Sequence, residues 1–467
     1  MLTHFPKYFS TRAILCYVVT LVLVSAFFMS HALPYQFVLF GLASVLIFFI
    51  FSTRLTVFWY KYPSNTFTKK LFVTAALIRL VYVVFIYFYY IEMTGVPHSY
   101  HAGDELLYDY IATQLKENGI VEFSNLLDVY GISFSDSGYC WWLAVEYSLL
   151  GTGIGARFVK CIIDAFTCVL IYNLAKRNFG EAVGRIAAVF CLLMPNMWFY
   201  CGVTLKETEM AFMVVLFVER ADLALRAQKI SFQNILLSGL AALAMFAFRT
   251  VLASVLFASL MVALVFSSGK QLQTWKKIVY GIVFAVWVFM TVGVEITQEI
   301  QGYWEGRDMN REIGYESKFN RLEDNSFQKY ATATVFAPLI FTIPLSSMVE
   351  VPNQEIQMML NGGNFIKNVI SGLVIFAMVS LLISGEWKKH VLPIVVILGY
   401  LVVLVFSTFA HSERFHFPVL ALELMFGAYG VSLLHNKHKR WIVIWLVAVC
   451  VMEVIWNWIK LSGRGWA

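Results

Sequence analysis

Leu71-Phe-Val-Thr-Ala-Ala-Leu-Ile-Arg-Leu-Val-Tyr-Val-Val-Phe-Ile-Tyr-Phe-Tyr-Tyr-Ile91 is an apolar run broken by one charge. It is followed by His101-Ala-Gly-Asp-Glu-Leu-Leu-Tyr-Asp-Tyr-Ile-Ala112. The first stretch has the length of a helix that crosses a bilayer. The second sets a carboxylate pair, Asp104 and Glu105, just outside it. Acids in that position either face bulk water without a role or do chemistry. Sidedness decides between the two, so topology comes first.

The rest of the chain repeats the first pattern. Of 467 residues, 60% are hydrophobic, 16% aromatic and 14% charged. A soluble chain carries about a quarter charged residues. The composition therefore predicts an all-α polytopic membrane protein, a single membrane domain without a separate soluble one. Apolar runs place spans at 13–29, 34–52, 71–91, 154–175, 182–200, 207–225, 234–248, 251–268, 278–295, 365–384, 391–410, 415–434 and 441–459, about thirteen in all. The segment 331–349 is apolar but interrupted by Pro338 and Pro344, and reads as re-entrant or interfacial.

The formal charge of +6 does not point to nucleic acid, because the basic residues are scattered over short loops. Seven Cys residues form no disulfide framework; only Cys140 and Cys201, near span ends, allow a bridge. Lys7 and Arg12 precede an apolar run with no small-residue cleavage site, as in an uncleaved first helix.

Basic clusters occur at Lys7/Arg12, Arg54/Lys61/Lys69/Lys70, Lys176/Arg177/Arg185, Arg220/Arg226/Lys229, Lys270/Lys276/Lys277, Lys388/Lys389 and Lys437/Lys439/Arg440. All fall on one side if the N-terminus is cytoplasmic and 331–349 returns to its own side. Lys460 and Arg464 then lie outside, against the rule. Two long loops become extracytoplasmic. Loop 92–153 is acidic, with Lys116 as its one Lys or Arg before Arg157 opens the next span. The loop from 296, running through the interrupted segment to 364, mixes acids with Arg307, Arg311, Lys318, Arg321 and Lys329.

Within the acidic loop, Asp104 to Asn118 reads as a helix closed by Gly119, with Leu107, Ile111 and Leu115 on one face. Asp104 and Glu105 then sit in the first turn, where the helix dipole favours carboxylates. Asp104 is thus either an N-cap or a reactive acid. A second apolar piece, Tyr139 to Leu150, is too short to cross and should lie along the interface. Two interfacial helices with acids between them would frame a pocket at the water–lipid boundary.

The pattern Asp104-Glu105-x-x-Tyr108-Asp109-x-Ile111-Ala112 after an early span resembles the first periplasmic loop of GT-C glycosyltransferases. The likeness is to the protein O-mannosyltransferase and aminoarabinose-transferase-like branch. Three further stretches are similar to that branch: Gly155-Ala-Arg157 through Gly180, Glu181-Ala-Val-Gly-Arg185 through Pro195, and His411-Ser-Glu-Arg-Phe-His-Phe-Pro418. The resemblance spans 71–434, leaving 1–70 as an N-terminal helix pair and 435–467 as a final helix and tail. It departs from the branch in having two spans before the one feeding the acidic loop, and in showing no soluble C-terminal domain.

The resemblance implies transfer of a sugar from a polyprenyl-phosphate carrier to a lipid, glycan or protein acceptor, with inversion, outside a bacterial inner membrane. It implies Asp104 as the base for the acceptor hydroxyl and Glu105 as its partner. A leaving phosphate calls for Arg or Lys. The outer-side candidates are Arg414, Arg249 and Lys206, each also explicable as a headgroup contact or local ion pair. Tyr108, His411, Glu413, Arg307 and Arg311 are candidate donor or acceptor contacts, with His416 beside Arg414. No cofactor is certain. His98 and His101, three apart and near Asp104, have the ligand types for a divalent metal ion, and the resemblance extends to members that bind metal in this loop. Arg79 and Asp164 lie at comparable depths within spans and are expected to pair.

Two other readings stay open at this stage. An O-antigen-type polymerase or ligase would depend on the loop arginines. A lipid-linked saccharide flippase would need charged or broken helices at mid-membrane.

Overall fold

The computed structural model describes residues 2–118, 130, 132–151, 153–227, 231–266, 339–406, 412–435, 438–462 and 466. The expected span 278–295, Arg307, Arg311, Arg321, His411, Arg464 and Gly119 lie outside the described residues. Helices α1 (Lys7–Phe27), α2 (Tyr35–Phe58) and α3 (Ser64–Thr94) lead to the acidic loop. That loop carries α4 (Gly103–Glu117) and α5 (Phe134–Leu150). Then come α6 (Ile154–Phe179), α7 (Glu181–Leu193), α8 (Pro195–Cys201), α9 (Glu207–Arg226), α10 (Phe232–Phe248) and α11 (Thr250–Phe266). The chain closes with the short α12 (Glu355–Met359), α13 (Asn361–Ser384), α14 (Val391–Phe406), α15 (Glu413–Ser432) and α16 (Lys439–Ser462). Among the described residues there is no β-strand, only an isolated bridge between Ala32 and Val349.

The molecule is an all-α, multi-pass membrane protein, but thirteen spans are not reproduced. Among the described residues seven helical stretches are long and apolar enough to cross a bilayer, and an eighth if α7 and α8 count as one. That pair bends by 50° at Pro195, where 182–200 reads as a single span. Proline without an N–H begins a new helix more readily than it continues one. Helices α6 and α9 are long enough but carry buried charge, and α10 and α11 are 17 residues each. α3 outruns its expected bounds at both ends. It starts after Pro63 and stops at Gly95, whose φ of 78° lets the chain turn away through a left-handed cap.

Arg79 of α3 and Asp164 of α6 pair as their depths suggest, and both are fully buried. Arg79 also donates to the carbonyls of Ala75 at 3.2 Å and Cys191 at 3.1 Å and to Cys168 Sγ at 3.3 Å. One guanidinium thus ties α3 to α6 and α7. The polar crossing at α13 gave no advance signal. Tyr17 of α1 donates to Asn361 Oδ1 at 2.5 Å, and Asn361 donates to Phe37 O at 2.9 Å. A side chain at Gly362 would put its Cβ 2.5 Å from Gly41 O, so the α2–α13 approach requires glycine there. All seven cysteines are free thiols, so Cys140 and Cys201 form no bridge.

The helices have two chemically different ends. At one, Lys176 pairs with Glu181, and Arg177 with Glu219 and Asp222; Arg185 donates to the carbonyls of Trp59, Tyr60 and Tyr62. These are clusters read as cytoplasmic. At the other end lie α4, α5, the α8–α9 connector, the start of α15 and the segment 346–357. The described part of the interrupted segment, 339–349, is largely buried there. Ser346 N donates to Glu453 at 2.8 Å and Met348 N to Asn457 at 2.8 Å, both on α16. Lys460 at the end of α16 is held in the same region, donating to Ser347 Oγ at 3.0 Å.

Candidate active site

Helix α4 starts one residue earlier than expected, at Gly103, with Ala102 as N-cap and no side-chain cap bond. Asp104 is therefore not the cap. Its side chain, 56% exposed, reaches out to Arg414 Nη1 at the start of α15. Arg414 Nε in turn pairs with Glu207, fully buried at the first residue of α9. One guanidinium thus bridges two carboxylates from helices far apart in sequence, a planar fork matched to two acceptors.

Glu105 turns the opposite way and is 1% exposed. It accepts from Thr204 N at 2.9 Å, Ser99 N at 3.3 Å and Ser99 Oγ. Burial raises its pKa, but the proximity of His98, the bonds from Ser99 and Thr204 and the charge of Arg157 more than reverse this, leaving it below the usual carboxylate range. The acid pair is divided: Asp104 faces outward, and Glu105 braces the α3–α4 connector against the α8–α9 connector. The buried stripe of α4 is Glu105, Tyr108, Ile111, Ala112 and Leu115, packed largely on α5. Leu107 is 46% exposed and lies off this stripe. Steps of four residues drift by about 40° each around a helix, so 107, 111 and 115 do not share one contact line.

Lys206 and Glu207 are not a local ion pair. Lys206 is 3% exposed and its ammonium donates to Asp136 Oδ1 at 2.6 Å, Ser135 O at 2.6 Å and Phe248 O at 2.5 Å. Three N–H groups meet three acceptors. Lys206 therefore has no proton left for a phosphate, and it clamps α5 and α10 to the α8–α9 connector instead. Burial and then the charge of Arg249 lower its pKa to about 8, while Asp136 works against them. Burial would raise the Asp136 pKa, yet Lys206 brings it down to about 2. Tyr108, a candidate substrate contact, donates to Asp136 at 2.6 Å and is buried in this clamp rather than on the cavity wall.

Arg249 caps α10 and lies over the Phe415 ring, 4.3 Å from its centroid, with Nη1 3.5 Å from Tyr400 Oη. Among the described residues no carboxylate pairs with it. The three outer cations do converge, since Arg249 and Arg414 both depress the Lys206 pKa, but they differ in what they can still bind.

Asp104, Glu105, Glu413 and Arg414 line a cavity of about 340 Å³. Phe199, Tyr200 and Leu205 contribute from the α8–α9 region, and the α3–α4 connector and 353–357 close the sides. Glu413 is on the wall, as its place beside Arg414 suggests. His416 is not; its Nδ1 lies 3.1 Å from Lys367 Nζ on α13. His98 and His101 diverge. His101 Nε2 is 3.0 Å from Glu355, whereas His98 is buried 3.8 Å from both Glu105 and Asp109. Among the described residues no group of three His, Cys, Asp or Glu side chains is arranged to hold a metal ion. The two histidines do not fit a shared ion.

Several residues of this region carried no signal of a role. Arg157 of α6 sits beside Glu105 and contacts Pro97 O, and Lys160 holds Val203 O at 3.1 Å and Leu205 O. Their positions near the start of a span were visible; their partners were not. Glu146 of α5 is 4% exposed, and among the described residues neither of its oxygens has a hydrogen-bond partner. Burial, then repulsion from Glu209, raise its pKa from 4.5 to about 8. Its carboxyl binds a proton more tightly folded than unfolded. Its contribution to stability is therefore full below about pH 4.5 and lost as pH rises toward 8. Glu146→Gln should flatten that pH dependence and raise the melting temperature at pH 8, by about 2 °C or more, read by thermal unfolding in detergent at pH 5 and 8.

Fold and site together define a class: a multi-pass helical membrane protein with a charge-lined cavity between its α3–α4 connector, the α8–α9 region, residues 353–357 and the start of α15. The sequence profile of the dolichyl-phosphate-mannose-protein mannosyltransferase family matches residues 138–294, roughly a third of the chain, from α5 through α11 and beyond. The fold is similar to that of ArnT from Cupriavidus metallidurans bound to undecaprenyl phosphate, with a TM-score of 0.50 and 14% identity over 82% of this chain and 63% of that one. For ArnT in the apo state the TM-score is 0.51, again at 14% identity, over 83% and 64%. The chain spans a little under two thirds of the length of these structures. No curated protein sequence matches it significantly. The chain thus has a GT-C-like fold and resembles the mannosyltransferase and aminoarabinose-transferase branch expected from its loop motif.

Proposed function

We propose that this protein transfers a sugar from a polyprenyl-phosphate donor to an acceptor hydroxyl at the extracytoplasmic face of the membrane. The observation that carries the reading is the Asp104–Arg414 pair on the cavity wall, with buried Glu207 as the second partner of Arg414. Asp104, the exposed acid, takes the proton from the acceptor hydroxyl as that oxygen attacks the anomeric carbon. The bond from that carbon to the phosphate oxygen breaks, and the electron pair leaves with the phosphate. A single displacement inverts the anomeric centre. Arg414, held by Glu207, orients Asp104 and offers charge to the reacting end. Glu105 positions the loop rather than touching substrate.

Arg249, without a carboxylate partner among the described residues, is the assigned contact for the carrier phosphate. The family profile match and the likeness to ArnT, solved with undecaprenyl phosphate, support a lipid-phosphate donor. A charge-assisted hydrogen bond contributes about 1.5–3 kcal/mol, so Arg249→Gln should weaken undecaprenyl phosphate binding roughly tenfold to a hundredfold. Titration of the purified protein in nanodiscs reads this directly. Unchanged affinity would move the phosphate away from Arg249.

A further inference from the structure

Part of the cavity wall is formed by 353–357, which carries Asn353, Gln354, Glu355 and Gln357. Its orientation is fixed from behind. Lys460 Nζ donates to Gln354 Oε1 at 3.0 Å, Gln357 Oε1 at 2.8 Å and Ser347 Oγ at 3.0 Å. An ammonium only donates, so both carboxamides must turn their oxygens to it. What remains of each for a ligand is its NH₂ group. Between them Glu355, 3.0 Å from His101, adds an acceptor. Donors and an acceptor side by side match hydroxyl groups, which both give and accept hydrogen bonds.

Two further observations bear on this wall. Among the described residues His101 and Asn353 are the non-glycine positions with left-handed backbone, at φ 50° and 62°, and both line this cavity. Strain of that kind is held where the surrounding structure fixes it, and it gathers at ligand sites. The volume of about 340 Å³ lies at the small end of ligand pockets, near a sugar ring or two rather than a long chain. The lining carries Asp104, Glu105, Glu355 and Glu413 against Arg414 as its one Lys or Arg, an excess of carboxylates that disfavours an anionic ring.

Resting on the transferase reading, we propose that 353–357 is the subsite for an uncharged, hydroxyl-bearing sugar ring. Gln354 and Gln357 are its specificity-determining donors, and Lys460 is their positioning residue. The ring belongs either to the donor or to a glycan acceptor, and the test separates the two.

Binding to nanodisc-embedded protein is measured for undecaprenyl phosphate, for its glucosyl, galactosyl, mannosyl and N-acetylglucosaminyl esters, and for the corresponding methyl glycosides. At least one sugar probe should bind tenfold or more weakly to the Gln354→Leu/Gln357→Leu variant, with undecaprenyl phosphate affinity unchanged. Loss on a carrier ester assigns the donor ring; loss on a methyl glycoside alone assigns the acceptor ring. Lys460→Met should reproduce the loss and Lys460→Arg should restore part of it, which a merely structural role would not do selectively for sugar. Equal binding of every sugar probe by variant and wild type overturns the subsite. So does a wild type in which no sugar adds affinity. Failure of the wild type to bind undecaprenyl phosphate contradicts the transferase reading instead, and the methyl glycosides then decide the subsite by the same tenfold criterion.

Discussion

Asp104→Asn is expected to abolish most sugar transfer while leaving the protein folded and able to bind its carrier. A positioned general base contributes about a hundredfold to ten-thousandfold to a rate, and asparagine cannot take the proton. The loss should appear in kcat. Asp104 is more than half exposed, so its ion pair with Arg414 adds little stability. Glu207 continues to hold Arg414 in the variant, which keeps the cavity wall in place. Undecaprenyl phosphate affinity should therefore stay within about threefold of wild type, a small difference on the scale of about 1.4 kcal/mol per tenfold. Asp104→Glu should retain part of the activity, because the carboxylate survives at a shifted position. Full activity in Asp104→Asn would remove this residue from the chemistry.

The largest effect on stability is expected at the buried Arg79–Asp164 pair. Asp164→Ala strips Arg79 of its carboxylate in the middle of the helix bundle. Removing one partner of a buried pair costs about 3–5 kcal/mol, whereas replacing both by apolar groups is often close to neutral. The single variant should lose most folded, monodisperse protein in detergent, and Arg79→Met with Asp164→Ala should recover much of it. A double variant no better than the single would mean that the carbonyl contacts of Arg79 to Ala75 and Cys191 matter more than the ion pair.

These two pairs mark how far the sequence could be read. Arg79 and Asp164 each interrupt an apolar run, and depth along two adjacent helices suffices to match them. The helices themselves were legible because a bilayer demands long apolar segments; among the described ones, ends such as those of α1, α2 and α3 run past the apolar stretch, and 182–200 breaks at Pro195. Which carboxylate Arg414 would meet was not legible. Glu413, a neighbour in sequence, is a nearer choice than Asp104 or Glu207, yet the helix turns the guanidinium toward residues roughly 310 and 207 positions away. Lys206 illustrates the same limit. A cation at a helix turn looks available for phosphate until three acceptors close on it. The carboxamide wall at 353–357 carried no motif at all, since its chemistry depends on Lys460 arriving from the last helix.

The spans also hold more buried polarity than hydropathy suggests. Lys367 lies 3.9 Å from Glu423, and Glu453 accepts from Asn368 at 2.6 Å. A carrier-transporting protein would need polar groups at such depth, so bond cleavage must be separated from movement of the carrier. The deciding measurement uses proteoliposomes containing a polyprenyl-phosphate carrier with radiolabelled sugar and crude envelope acceptors. The account predicts that wild-type protein moves label into the acceptor and regenerates free polyprenyl phosphate in equal amount, and that Asp104→Asn does neither. Translocation of intact labelled carrier by both proteins, with no regenerated phosphate, would contradict it.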